Sequence, residues 1–137
     1  MYSFQKHTAS SYQQVQVETG IAVADPHKLI EMLLEGGLEA INKARGAVER
    51  GDQATKSAAI RQAVLIVEEG LRSSLDHTAG GKIAEDLDRL YKYVAWRLTV
   101  ANLRNDQEIL QECFGLLSTV HDSWCAIRGT VGSGRLQ

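Results

Sequence analysis

The sequence predicts an all-α protein, an antiparallel up-and-down four-helix bundle with an extra short N-terminal helix or lid segment. Three observations predict this fold. Apolar residues recur at steps of three and four, glycines and a single proline divide the chain into four long segments, and the connections between those segments are short. Short connections force consecutive helices to run antiparallel. A chain of 137 residues also buries enough surface to hold one core without a disulfide or a metal.

The first bundle helix is predicted over residues 26–50. Asp25 is placed to cap its free amide groups, and Pro26 suits a first helical position, where an N–H is not needed. Gly51 supplies the left-handed residue with which many helices end. The helix should therefore be sharply bounded at both ends.

The second and third helices are predicted on either side of a glycine pair. The second helix is expected over residues 53–76, with a break at residues 78–81, which include Gly80 and Gly81. The third helix is expected to begin beyond the pair and to run to Arg104, giving way at Asn105 and Asp106. Its inner apolar stripe is predicted to consist of Ile83, Leu87, Leu90, Val94, Leu98 and Ala101.

The fourth helix and the two ends of the chain complete the domain organisation. The apolar period continues as far as Ile127, and we expect the helix to stop before Gly129. Residues 25–128 then form the helical bundle, and residues 129–137 form a flexible tail. Residues 1–24 are a separate N-terminal segment with room for one short helix, which must lean on the bundle or fray.

Composition limits the classes of function. A formal net charge of -2 without a basic run argues against nucleic-acid binding. No apolar run approaches the roughly 18 residues of a membrane span, and the polar start is unlike a signal peptide, so we expect a cytosolic protein without membrane insertion. Cys113 and Cys125 would lie about 18 Å apart on one helix, which predicts two free thiols.

Candidate catalytic groups do not assemble in the sequence. The four histidines are scattered over different segments, and none follows a glutamate at the Glu-x-x-His spacing of bundle-core metal sites. His121, Asp122 and Ser123 are consecutive, so on a helix they point about 100° apart and cannot form a hydrolytic triad. We therefore expect no enzyme, no metal and no cofactor.

Two helices carry more apolar residues than one bundle position requires. Tyr93, Trp96, Val100 and Leu103 follow steps of three, four and three, and they form a second stripe on the third helix. On the first helix, Leu34 and Leu38 lie to one side of the main stripe. Such residues are covered either by the ends of the chain or by a partner, and periodicity alone favours neither. Aromatic side chains are common where partners dock, which favours a helical binding module.

Three stretches of the sequence resemble the flagellin-specific export chaperones of the FliS family. The longest is residues 74–102, which contains SLD, GGKIAEDLDRLY and AN in the order of the family signature. The others are DPHKLIEMLLEG at residues 25–36 and YQQVQVET at residues 12–19. Together with Trp124 the similarity extends over residues 12–127, which is most of the chain.

This resemblance implies a cytosolic chaperone with a bundle fold. Such a chaperone binds the disordered C-terminal segment of flagellin, prevents its premature polymerisation and delivers it to a component of the flagellar export gate. The candidate binding residues are the second apolar stripe of the third helix, called the outer stripe below, and the two leucines to one side of the main stripe on the first helix. They are Leu34, Leu38, Tyr93, Trp96, Val100 and Leu103.

The resemblance also implies a lid. Tyr12, Val15 and Val17 in the N-terminal segment would cover the empty groove until flagellin displaces them, whereas the alternative is an ordinary frayed terminus. A further alternative is a structural bundle that uses the same stripes to bind a copy of itself and has no flagellin client. We expect a monomer or a weak homodimer.

Overall fold

A computed structural model describes the backbone of residues 25–136 and the side chains of residues 25–127. The described elements are α1 (Pro26–Arg50), α2 (Gln53–Leu65), a π-helical segment (Ile66–Leu71), a 3-10 turn (Arg72–Ser74), α3 (His77–Arg104) and α4 (Gln107–Leu136). Each long helix packs against its neighbours in sequence, and α1 closes the ring against α4. The prediction of an all-α helical bundle is confirmed. The predicted N-terminal helix or lid lies outside the described residues.

Both ends of α1 are formed by the residues that the sequence indicated. The Asp25 carboxylate accepts a hydrogen bond from the Lys28 amide at 2.7 Å, which satisfies one of the free N–H groups of the first turn. Gly51 adopts a left-handed φ of 71°, and its amide donates to the Val48 carbonyl. Asp52 then caps α2 by accepting from the Thr55 amide at 3.1 Å.

The second segment differs from the prediction of one α-helix over residues 53–76. Its last third is wound as a π-helix and then as a 3-10 turn. The π-helix buries two adjacent pairs, Ile66 with Val67 and Gly70 with Leu71. Gly70 allows this close packing, since a Cβ at this position would lie 3.1 Å from a methyl group of Leu33. The hydrophobic period does not reveal this change from α- to π-helical winding, because the change alters the number of residues per turn by less than one.

The start of α3 also differs from the prediction. The chain leaves helical geometry at Leu75 and Asp76, before the predicted break, and Asp76 caps a new turn by accepting from the Thr78 and Ala79 amides. The non-helical residue is Gly81, with φ 53° and ψ -123°, so α3 is kinked there rather than started there. The kink follows from glycine's tolerance of positive φ.

The end of α3 agrees with the prediction, and the end of α4 does not. Asn105 adopts a left-handed φ of 52° directly after Arg104, and the Asp106 carboxylate caps α4 by accepting from two amides. The backbone of α4 continues to Leu136, beyond the predicted end before Gly129. Glycine costs a helix about 1 kcal/mol but does not forbid it, and this stretch contains no proline.

The core is aliphatic and receives residues from all four helices. Its fully buried side chains include Leu33, Ile41, Ile60, Leu71, Leu98, Leu110 and Leu117. Within the described part of the chain one charged residue is buried, Lys56, whose ammonium donates to the Asn102 carbonyl at 2.8 Å and to the Asn105 side chain at 2.5 Å. These bonds join the start of α2 to the end of α3. Among the described helices, none has the length and apolar character needed to cross a membrane.

Candidate partner-binding surface

The second apolar stripe of α3 lies on the outside of the bundle. Tyr93 is 39% exposed, Trp96 58% and Leu103 79%, while Val100 between them is partly buried against the core. About 100° around the helix, Val94, Leu98 and Ala101 are buried, as the inner stripe requires. The helix therefore presents aromatic and aliphatic side chains to solvent along roughly three turns.

The N-terminal part of the inner stripe differs from the prediction. Ile83 is 70% exposed and Leu87 is only partly buried, whereas Tyr91, which the apolar pattern omitted, is almost completely buried. These residues follow directly after the kink at Gly81, which separates only the first turn of α3 from the rest of the helix. Burial raises the pKa of the Tyr91 phenol to about 12, so the side chain serves the core as a neutral group.

The two leucines of α1 are placed differently from each other. Leu34 is completely buried in the core, and Leu38 is partly buried against it. The reason is that α1 packs against both α2 and α4, which requires a wide apolar face that includes the adjacent pair Leu33 and Leu34. Leu34 therefore does not contribute to the surface in this conformation.

Hydrogen bonds from α3 to Glu112 of α4 order part of the outer stripe. The Tyr93 hydroxyl donates to one Glu112 carboxylate oxygen at 2.5 Å, and the Arg97 Nε donates to the other at 3.0 Å. The bond from Tyr93, with that from Arg97, lowers the pKa of the Glu112 carboxyl, so the acceptor stays charged. The Tyr93 and Trp96 rings lie 6.2 Å apart at an angle of 55°. The aromatic groups are thus held in place before any partner arrives.

A second apolar surface lies at one end of the bundle and was not predicted. It is a cavity of about 420 Å³, enclosed by the start of α1, the turn before α3, the kinked part of α3 and Trp124 of α4. The largest apolar side chains in its wall are Ile30, Leu71, Leu75, Ile83, Leu87 and Trp124. The sequence pattern assigned Ile83 and Leu87 to the inner stripe of α3, because periodicity within one helix does not reveal a cavity that several helices line.

The Trp124 side chain forms a fixed part of this wall. Its indole N–H donates to the His27 carbonyl at 2.8 Å, and its ring stacks on the His27 imidazole at 4.2 Å between centroids. Pro26, at the rim, is the first helical residue after the N-terminal segment. The lid residues Tyr12, Val15 and Val17 lie outside the described residues.

The chain is similar to a known family of proteins over most of its length. Residues 8–131 match the family model of the flagellar protein FliS, which is most of the chain. The chain belongs to the FliS family. It is 44% identical over 121 residues to the flagellar secretion chaperone FliS of Salmonella typhimurium, covering 86% of this chain and 90% of that protein. The flagellar secretion chaperone FliSB of Pseudomonas aeruginosa is 45% identical over 116 residues, covering 85% and 91% respectively.

A third relative, less similar than the first two, is also a FliS protein. The flagellar secretion chaperone FliS of Escherichia coli K12 is 34% identical over 114 residues, covering 83% of this chain and 84% of that protein. All three relatives are named chaperones rather than enzymes. Membership of this FliS family agrees with a chain whose most conspicuous surface features are an apolar stripe and an apolar cavity.

Proposed function

We propose that this protein is a cytosolic chaperone that binds the disordered C-terminal segment of flagellin. By holding that segment it prevents premature polymerisation, and it delivers the client to the flagellar export apparatus. The observation that carries the proposal is the exposed stripe on α3, in a chain 44% identical to a flagellar secretion chaperone. Binding at such a surface needs neither ATP nor a cofactor, because apolar burial on both partners supplies the free energy.

The client segment binds by laying apolar side chains along α3. Tyr93, Trp96, Val100 and Leu103 form the main contact, and the partly buried Leu38 of α1 adds to it. An amphipathic helix of the client would place anchors at steps of three and four against such a stripe. Leu34, since it is completely buried, stabilises α1 and does not touch the client in this conformation.

The end cavity supplies a second contact for the same client. Its wall is apolar, and Ile83 on its edge is largely exposed. A disordered segment can reach both the stripe and the cavity, since it wraps a large surface as it folds. Ordering the segment costs roughly 2–5 kcal/mol or more, and a net affinity near micromolar, about -8 kcal/mol, still permits release at the export apparatus.

The N-terminal segment acts as a lid in this proposal. The segment joins the bundle at Pro26, which lines the cavity, and the proposed lid residues are Tyr12, Val15 and Val17. The client displaces the lid when it binds, and the competition lowers the apparent affinity.

Calorimetric titration tests the proposal. The full chain is titrated with flagellin and with flagellin lacking its C-terminal segment, and only the first should bind. Trp96→Ala and Leu103→Ala should each weaken binding about tenfold or more, because aromatic and aliphatic anchors dominate such interfaces. Ile127→Ala is the matched control, since Ile127 is another half-exposed apolar residue but lies away from the stripe on α4.

The competing function is self-association of a structural bundle. The exposed Trp96 and Leu103 would then contact a second copy of the chain. Sedimentation equilibrium distinguishes the two functions: a mass that rises with concentration, together with no heat from flagellin, supports the structural bundle and contradicts the chaperone.

A further inference from the structure

Four side chains with metal-binding chemistry meet between α1 and α4, outside the outer stripe. Glu31 and Glu35 lie one turn apart on α1, and His121 and Cys125 lie one turn apart on α4. Residues four apart share one face of a helix, and these two helices pack directly against each other. Each helix therefore presents a pair of ligands to the other.

The donor atoms are already close to the spacing of a coordination sphere. One donor atom each from Glu31, His121 and Cys125 lies within 4.8 Å of the others. The His121 Nε2 is 3.6 Å from the Cys125 Sγ and 3.1 Å from the Glu35 Oε2. Around a tetrahedral zinc ion, S–N and N–O ligand pairs lie about 3.5 Å and about 3.3 Å apart, as follows from the usual metal–ligand bond lengths.

The surroundings of the cluster favour a cation. The two carboxylates carry more negative charge than the nearby Lys28 neutralises, although its ammonium lies 3.2 Å from the Glu31 carboxylate and competes for it. The Asp122 carboxylate lies 3.4 Å from the other ring nitrogen of His121, the position of the carboxylate that commonly orients a metal-bound imidazole. His121 and Cys125 are partly buried, so the site is shielded but remains open to an ion from solvent.

We propose that Glu31, Glu35, His121 and Cys125 form a Zn²⁺ site that cross-links α1 to α4. A set of sulfur, nitrogen and oxygen donors in a tetrahedral arrangement is the donor set that zinc prefers. The Glu-x-x-His spacing that the sequence lacks concerns ligands within a single helix, so its absence did not indicate this site. This site is instead divided between two helices that are 86 residues apart at Glu35 and His121.

The site has a structural consequence at the end cavity. Trp124 precedes Cys125 in the sequence and stacks on His27 of α1. A zinc ion at the proposed site adds a link between the same two helices beside this ring pair. Because the ion binds the folded chain and not the unfolded one, its presence raises the melting temperature.

Zinc titration of the full chain tests the proposal. Metal-free protein, kept reduced with a phosphine that does not chelate zinc, is titrated with ZnCl₂ near neutral pH while heat is measured. We expect one equivalent to bind and the melting temperature to rise. His121→Gln and Cys125→Ser should each weaken binding at least tenfold, because the loss of a mere outer-shell partner already costs about 10–100-fold.

Matched variants separate this site from other histidines and cysteines. His77→Gln and His7→Gln should bind zinc like the wild type. In the complex with Co²⁺, a sulfur-to-cobalt charge-transfer band should appear, disappear in Cys125→Ser and persist in Cys113→Ser. Cys125 and His121 are partly exposed, and two independent variants guard against a folding defect in either. Absence of binding by the wild type, or wild-type affinity in both ligand variants, overturns the proposal.

Discussion

At the scale of single residues, the side of α3 on which a side chain lies decides its role. Leu98 and Val94 point into the core, while Trp96, between them in sequence, is exposed. The apolar period separated these two sets correctly over the straight part of the helix. It could not place Leu34, because whether an adjacent leucine is buried depends on how many neighbours pack against α1.

Paired substitutions on α3 should separate stability from binding. Leu98→Ala removes a completely buried side chain, and we expect a loss of about 2–5 kcal/mol in the free energy of unfolding. Trp96→Ala should change it by less than about 0.5 kcal/mol, since surface substitutions have small effects. Urea denaturation measures both values. A Trp96→Ala variant as unstable as Leu98→Ala would contradict the assignment of faces.

A second residue-scale prediction concerns the ion pairs of Arg72. Its guanidinium donates to Asp88 at 2.7 Å and to Glu68 at 2.6 Å, linking the 3-10 turn to α3. The hydrogen bond from Arg72 is the main cause that lowers the pKa of the Asp88 carboxyl in the folded chain. Stability from this group is present above the ordinary pKa of an aspartate and is lost as pH falls through the lowered value.

Asp88→Asn should therefore destabilise the protein at neutral pH and less so in acid. We expect the difference in melting temperature between wild type and variant to shrink from about pH 6 to about pH 3. Asp86→Asn is the control, because Asp86 is more exposed and pairs with Lys82 and Arg89 along its own helix. A difference for Asp88→Asn that grows on acidification would contradict the stated role.

At the scale of elements, the helix ends that a local capping residue determines were predictable, whereas the start of α3 and the end of α4 were not. Asp25, Pro26 and Gly51 determine local backbone geometry, so they bound α1 as expected. The π-helix at Ile66–Leu71 arises where close packing of Gly70 against Leu33 overrides the α-helical period, whereas the kink at Gly81 follows from glycine's tolerance of positive φ. The end cavity and the glutamate, histidine and cysteine cluster need two or more helices, so no pattern within one segment indicates them.

The kink at Gly81 provides an element-scale test. Its φ of 53° with ψ of -123° is strained for any residue with a Cβ, so Gly81→Ala should cost about 1–3 kcal/mol of folding free energy. No heavy atom lies within 4 Å of the added Cβ, which isolates backbone strain from steric clash. Gly115→Ala, inside α4 and equally open, should instead stabilise the chain by about 0.5–1 kcal/mol.

Thermal or urea denaturation of the two alanine variants makes the comparison. If the proposed second client contact is correct, Gly81→Ala should also weaken flagellin binding, because straightening α3 moves Ile83 and Leu87 relative to the rest of the cavity wall. Equal stability of the two variants would show that the kink is not maintained by glycine.

At the scale of the whole molecule, the proposed lid makes binding a competition within one chain. If the lid is closed by about 2 kcal/mol, apparent client affinity is lowered roughly 30-fold. Deleting residues 1–19 should then tighten flagellin binding by about that factor in calorimetric titration. Unchanged or weaker binding after the deletion would support an ordinary frayed terminus.

The buried ammonium of Lys56 makes the two ends of the bundle differ in how firmly their helices are linked. Its bonds to Asn102 and Asn105 fasten the pole where α1 ends and α4 begins, whereas the hollow and the bent helix lie at the opposite pole. If the helices separate to accept a client, we therefore expect them to separate at the cavity end and to stay together at the end that Lys56 links. Amide hydrogen exchange should consequently be slowest near Asn102 and fastest around the mouth of the hollow.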